Sequence, residues 1–121
     1  MTSWRKGLLI SMLVLAGCGT SVSDDLSPQA IQGQEVARSK GCAACHGDLG
    51  EGGVGPAWIG LAGTEVELDD GSTVVADTDY LRSSIIEPEA QVVSGYTITM
   101  PTTKLSEPEV VALIAYIQEL E

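Results

Sequence analysis

Apolar residues near the end of the chain recur at the spacing of an amphipathic helix. They are Val110, Leu113, Ile114, Ile117 and Leu120, which would share one face of a helix. The residues Ser106-Glu107-Pro108-Glu109 precede them and match a capping box with a proline inside the first turn. The pattern therefore predicts a helix that runs from Ser106 to about Leu120.

Two further helices are predicted upstream. Ser27-Pro28 places a capping residue before a proline and predicts a helix to about Lys40. Its small or apolar positions are Ala30, Ile31, Gly33, Val36 and Ala37. Asp77 caps a shorter helix over roughly Thr78–Ile86, which Pro88 ends. The inner face of this second helix is predicted to be Tyr80, Leu81 and Ile85.

The remaining segments predict one hairpin and two irregular stretches. Apolar and polar residues alternate in Glu65–Leu68 and Ser72–Val75, on either side of Asp69-Asp70-Gly71. This pattern is typical of a small β-hairpin. Gly47–Gly63 is too rich in glycine for a regular helix, and Gln91–Thr103 has no helical periodicity. The sequence thus predicts a single, mostly helical domain.

The first residues have the pattern of a secretory signal. Arg5 and Lys6 precede the apolar run Leu8–Ala16, which predicts a signal peptide over residues 1–17 that is too short to span a membrane. Its end, Leu15-Ala16-Gly17-Cys18, resembles the lipobox of bacterial lipoproteins. The resemblance implies cleavage before Cys18 and attachment of diacylglycerol to its thiol. The alternative is an ordinary signal peptide that leaves Cys18 free.

The net charge of the chain indicates which classes of partner it could bind. The chain has a formal net charge of −11, and without residues 1–17 it has four basic and 17 acidic residues, a net charge of −13. Such a surface repels nucleic acid and anionic headgroups. It suits a basic docking patch on a protein partner, or serves solubility alone. We expect residues 18–27 to tether a domain at 28–121 to the extracytoplasmic (periplasmic) face of a bacterial membrane.

The candidate chemistry lies in Cys42-Ala43-Ala44-Cys45-His46, the attachment motif of c-type haem. Each cysteine can form a thioether with a vinyl group of one porphyrin edge, and the adjacent imidazole can bind iron through Nε2. A zinc site would need two more Cys or His ligands, and none is left. A redox dithiol usually lies near a βαβ pattern, which this sequence lacks. The motif therefore predicts one covalent haem c, and we expect the first helix to pack behind it.

Met100 is the candidate for the second axial ligand. Removal of the signal peptide leaves it as the only methionine, and His46 is the only histidine. Lys40 and Lys104 could bind iron only when deprotonated. A lone methionine is more often core filler than a ligand. Here, however, its place in the irregular segment before the last helix and the lack of other candidate ligands favour the ligand role. His/Met ligation is the arrangement found in cytochromes c.

The segment after the haem motif resembles a known family. Gly55-Pro56-Ala57-Trp58-Ile59-Gly60-Leu61 is similar to the Gly-Pro-x-Leu-x-Gly-Leu segment of class I cytochromes c. The resemblance implies that the Pro56 carbonyl accepts the Nδ1 proton of His46, while Trp58 and Leu61 wall the haem pocket. It also implies the all-α class I fold, with three to four helices around the haem and the hairpin as an insertion. Met100-Pro101 before the last helix fits the same family.

A closer similarity covers most of the chain from Gly33 onward. Segments from Asp70 to Met100-Pro101, including Val93-Ser94-Gly95-Tyr96, resemble the cytochrome c domain fused to subunit II of caa-type terminal oxidases. This similarity implies that Tyr96 lies at the haem. No cupredoxin domain or transmembrane hairpin is expected upstream. Monohaem lipoprotein cytochromes also occur as subunits of alternative complex III. Many class I cytochromes place an aromatic residue on the first helix, where it contacts the last helix. Ala37 stands near that position here, which leaves Tyr116 to fill the contact.

The predicted function is one-electron transfer between respiratory-chain partners. With both axial sites filled by His46 and Met100, no position remains for a substrate, so the chain itself is not expected to be an enzyme. It could belong to a quinol-oxidising complex or a terminal oxidase. One alternative is a haem-based ligand sensor with a displaceable Met100. A second is a structural subunit in which the haem only staples the fold.

Overall fold

The computed structural model describes residues 25–121. The predicted signal peptide, the lipobox with Cys18 and most of the predicted tether lie outside these residues. The secondary-structure elements in chain order are α1 (Pro28–Ser39), α2 (Ala43–His46), β1 (Glu65–Glu67), β2 (Thr73–Val75), α3 (Thr78–Ile86) and α4 (Glu107–Glu119). Within the described part of the chain, the helices are too short or too polar to cross a membrane. The predicted helices and the hairpin insertion are all present.

Helix α1 packs against α4 through its small residues. The Ser27 hydroxyl accepts a hydrogen bond from the Ala30 amide and caps the helix, as predicted. Ala30, Gly33 and Ala37 are buried, and Gly33 lies so close to the backbone of α4 at Ala112 that a side chain would not fit.

The expectation that α1 packs behind the cofactor is wrong. The helix contacts α4 at Ala112 and Tyr116, whereas α4 lines the cleft described below with Leu113 and Ile117, and none of residues 28–39 lines that cleft. Ile31, the largest apolar residue of α1, is 41% exposed. The close approach at Gly33 explains the outcome, because it brings the small face of α1, and not Ile31, against α4.

Helix α4 supplies the centre of the core. Its predicted apolar face is buried, and Tyr116 is only 1% exposed. The capping box forms as predicted, since the Ser106 amide donates to the Glu109 carboxylate at 2.7 Å. The Lys40 ammonium lies 2.9 Å from the same carboxylate and joins the end of α1 to the start of α4. Helix α4 is therefore fixed at its first turn.

Lowering the pH should weaken this junction. The hydrogen bond from the Ser106 amide is the largest cause that lowers the pKa of Glu109 from 4.5 to about 2, and the hydrogen bond from Lys40 lowers this pKa further. A carboxyl with a lower pKa in the folded state stabilises the fold above its unfolded pKa and loses that contribution as the pH falls. We expect Glu109→Gln to lower the melting temperature at pH 7, with the difference from the native chain disappearing between about pH 4.5 and 2.

Thermal unfolding followed by circular dichroism across this pH range measures the effect. Glu35→Gln, at an exposed position of α1, is the matched control and should show no such pH-dependent difference. A Glu109→Gln deficit that stays constant down to pH 2 would mean that the charge of Glu109 is not its source.

Helix α3 packs against α4, and the hairpin holds the segment that follows α3. Strands β1 and β2 pair antiparallel, with Val66 opposite Val74. Beyond β1, Leu68 forms a bridge with Val93, so the hairpin holds the start of the long segment that leads to Met100. Helix α3 is capped by Asp77, and its predicted inner face, Tyr80, Leu81 and Ile85, is buried.

Candidate cofactor site

The Cys-Cys-His segment lies in a tight turn closed by backbone hydrogen bonds. Gly41 and Gly47, at φ +82° and +89°, let the chain turn sharply before and after α2. The glycine-rich loop then folds back: the Gly55 amide donates to the Cys45 carbonyl at 2.9 Å, and the Gly52 amide donates to the His46 carbonyl at 2.7 Å. Both cysteines are free and half-buried, and burial raises the pKa of the Cys42 thiol.

His46 is held with one ring nitrogen already paired. Its Nδ1 lies 2.7 Å from the Pro56 carbonyl oxygen, and because a carbonyl can only accept, Nδ1 carries the proton. The lone pair of Nε2 is then available to a metal. The imidazole is 8% exposed, and this burial lowers its pKa despite the opposing effect of the Pro56 hydrogen bond. The ring is therefore neutral at pH 7, as a ligand must be.

The predicted site residues meet in one cleft. Its wall includes all eight of them: Cys42, Cys45, His46, Pro56, Trp58, Leu61, Tyr96 and Met100. Met100 reaches the cleft from the segment between α3 and α4, far from His46 in sequence. Tyr96 is 38% exposed and lies at the rim. The structure thus brings together residues that are separated by more than fifty positions in the chain.

Sequence reasoning missed several contributors to this cleft. Gly55 lies against the imidazole, where an added Cβ would be 2.9 Å from the Cε1 atom of His46. Apolar residues from other elements complete the wall, among them Val66, Val92, Leu113 and Ile117. The glycine before Pro56 was a signal for a close backbone approach. The wall residues had no signal of their own, because the sequence marks them only as core.

The cleft suits a large, flat, apolar group with polar ends. Its empty volume is about 1130 Å³, counting the part open to solvent. Among residues 25–121, no Asp, Glu, Lys or Arg lines it. The Ser84 hydroxyl is a buried polar atom in this mostly apolar wall, beside the Tyr80 side chain. With two thiols, an imidazole and a thioether around the same space, these residues fit haem c.

A helical domain with a Cys-Cys-His turn at an apolar cleft defines a c-type cytochrome. The cytochrome c family model matches residues 30–121, and the chain belongs to that family. No curated protein matches the chain significantly. The family match confirms the predicted class I fold and the covalent haem c. This protein is therefore an electron-transfer haem protein, and redox proteins are its partners in the general sense that applies to cytochromes c.

Proposed function

We propose that this cytochrome carries single electrons between respiratory-chain proteins, with His46 and Met100 as the two axial ligands. The observation that carries the proposal is the pairing of His46 Nδ1 with the Pro56 carbonyl at 2.7 Å, because it leaves Nε2 as the free donor in a cleft that Met100 also lines. The haem, when bound, supplies an iron that changes between the ferric and ferrous states by one electron.

The remaining site residues hold the group and keep water away from it. The Cys42 and Cys45 thiols would hold the haem through thioether bonds to its vinyl groups, and Trp58 and Leu61 would wall the pocket. Two protein ligands leave no position for a substrate, which supports a carrier and not an enzyme. As an iron ligand, the soft thioether of Met100 would favour ferrous iron and raise the reduction potential.

The absorption spectrum of the ferric protein tests this ligand pair. A thioether bound to ferric iron gives a weak sulfur-to-iron charge-transfer band in the red, and we expect to find it in the native chain. Absence of the band, together with ready binding of added ligands, would favour the sensor alternative with a displaceable Met100.

The proposed location is the periplasmic face of a bacterial membrane, with a lipid on Cys18. The support is the lipobox-like Leu15-Ala16-Gly17-Cys18. At the other end of the tether, the Ser27 amide and hydroxyl both donate to the Glu119 carboxylate, at 2.7 and 2.6 Å. The domain would therefore be held close to the membrane at the end of α4, because the few residues between Cys18 and Ser27 limit its reach.

Replacing Cys18 should release the protein from the membrane. Cys18→Ser removes the thiol that accepts diacylglycerol, and stable anchoring needs acyl chains. We expect this variant to appear in the soluble fraction or to remain unprocessed, while mass spectrometry of the native protein shows the lipid on Cys18. Ser21→Ala, in the same tether, is the control and should stay with the membrane. Retained membrane association and normal processing of Cys18→Ser would exclude the lipoprotein proposal.

The proposed partners are a quinol-oxidising complex or a terminal oxidase. The support is the similarity of the segments from Asp70 to Pro101 to the cytochrome domain of caa-type oxidases, and the acidic charge, which complements a basic docking patch. Co-purification from detergent-solubilised native membranes tests whether the protein is a resident subunit. A protein that elutes alone would be a free carrier.

A further inference from the structure

The His46 imidazole is part of a three-ring aromatic cluster that its role as a ligand does not require. The Trp58 indole stacks on it, with ring centroids 4.5 Å apart and planes 19° from parallel. Tyr116 then meets the indole edge-on, at 6.2 Å and 87°. Both geometries are favoured arrangements of aromatic pairs. The imidazole plane is therefore tied to the plane of a larger ring.

The indole has little freedom to move. Trp58 is 6% exposed and Tyr116 is 1% exposed. The hydroxyl of Tyr116 accepts a hydrogen bond from the Gln34 amide of α1 at 3.3 Å, and the Trp58 amide donates to the Gly50 carbonyl at 2.8 Å. The stack is thus fixed by both long helices and by the glycine-rich loop.

Gly55 adds a second constraint on the imidazole. A Cβ built on Gly55 would lie 2.9 Å from Cε1, 3.1 Å from Nδ1 and 3.2 Å from Nε2 of His46. Near-equal distances to three consecutive ring atoms place this position over the ring face and not in the ring plane. The Gly55 backbone therefore packs on the imidazole, and a tilt toward it is blocked.

We propose that Trp58 is a positioning residue: its stack sets the plane of the His46 imidazole and, through that plane, the electronic structure of the bound iron. The hydrogen bond from Nδ1 to Pro56 fixes one ring atom but still permits rotation about the hydrogen-bond direction. A parallel indole removes that freedom. A leucine of similar burial could fill the space but would impose no plane, because an aliphatic side chain has no face to stack.

This inference rests on the proposed role of His46 as an iron ligand. The haem methyl resonances in the NMR spectrum of the ferric holoprotein report the orientation of the imidazole plane. The paramagnetic shifts of these methyl groups depend on the orientation of the axial ligand planes. Axial ligation is one of the ways in which a protein tunes its haem. We expect Trp58→Leu to change the order or spread of these shifts. Trp58→Phe keeps an aromatic face and should restore a pattern close to that of the native chain.

One control, the red sulfur-to-iron band, separates a change of the imidazole plane from loss of the site. The red sulfur-to-iron band should persist in both Trp58 variants, which shows that Met100 is still bound. If the native protein lacks that band, the proposed ligand pair fails, whatever Trp58 does. If the band is present and Trp58→Leu leaves the methyl shifts unchanged, Trp58 only fills space and the inference is wrong.

A second pair of variants applies if Trp58→Leu does not assemble with haem. Tyr116→Leu removes the edge-on ring that supports the indole and should change the order or spread of the methyl shifts relative to the native chain. Tyr116→Phe removes only the hydroxyl bonded to Gln34 and should leave them nearly unchanged. Equal patterns for Tyr116→Leu and Tyr116→Phe would overturn the role of the aromatic cluster.

Discussion

Replacing Met100 with alanine is expected to lower the reduction potential by about 0.2 V, within the roughly 0.8 V range that axial ligands control. The thioether favours ferrous iron, and a methyl group cannot replace it as a donor. For a one-electron couple about 59 mV is a tenfold change in equilibrium constant, so the electron-transfer equilibrium should shift by about three orders of magnitude. Most of the fold should survive, since the thioether bonds from Cys42 and Cys45 would still hold the haem.

Spectroelectrochemical titration of the holoprotein measures this change. The red sulfur-to-iron band should disappear in Met100→Ala and in the better-filling Met100→Leu. Thr99→Ala alters the neighbouring residue of the same cleft wall and should change neither the band nor the potential. A potential that is the same in Met100→Ala and Thr99→Ala would rule out Met100 as the ligand.

Replacing Gly33 with alanine should destabilise the fold by about 2–3 kcal/mol, the upper part of the roughly 1–3 kcal/mol that overpacking a core costs. The added methyl group would lie 2.7 Å from the Tyr116 Cβ and 2.6 Å from the Ala112 carbonyl carbon. These are backbone and Cβ atoms that no rotamer change can move, so α1 and α4 must separate. The better helix propensity of alanine returns only about 1 kcal/mol.

Thermal or denaturant unfolding of the holoprotein tests the Gly33 contact, with an expected fall in melting temperature of about 10–20 °C for a domain of this size. Glu35→Ala changes an exposed position of the same helix and should shift stability little. Gly33→Ala with native stability would show that the two helices can separate without cost, which the close contact described above does not allow.

The sequence predicted α1, α3, α4 and the hairpin because each has a local signal, whereas the short helix α2 was not predicted. Ser27-Pro28, Asp77 and the Ser106–Glu109 capping box mark helix starts, and Asp-Gly marks the hairpin. The packing of α1 could not be predicted in the same way. Hydrophobicity favours Ile31 as a core residue, but the close approach of two backbones at Gly33 selects a face of small residues. That selection depends on α4, which is more than sixty residues away in the chain.

The site was predictable where its chemistry is rare in the sequence. One histidine, one Cys-x-x-Cys pair and one methionine outside residues 1–17 point to four ligating or attaching atoms, and the structure places all four residues at one cleft. The stack of Trp58 on His46 was not predicted. The resemblance implied only that Trp58 walls the pocket, and ring orientation depends on Tyr116 and Gly55, which carry no sequence signal for it.

Adding carbon monoxide to the reduced holoprotein tests the electron-carrier account most directly. A site with both axial positions held by His46 and Met100 has no open coordination position, so the reduced native protein should show little spectral change at concentrations that saturate Met100→Ala. Binding by the native protein as readily as by Met100→Ala would contradict the account, because a site open to exogenous ligands is that of a sensor.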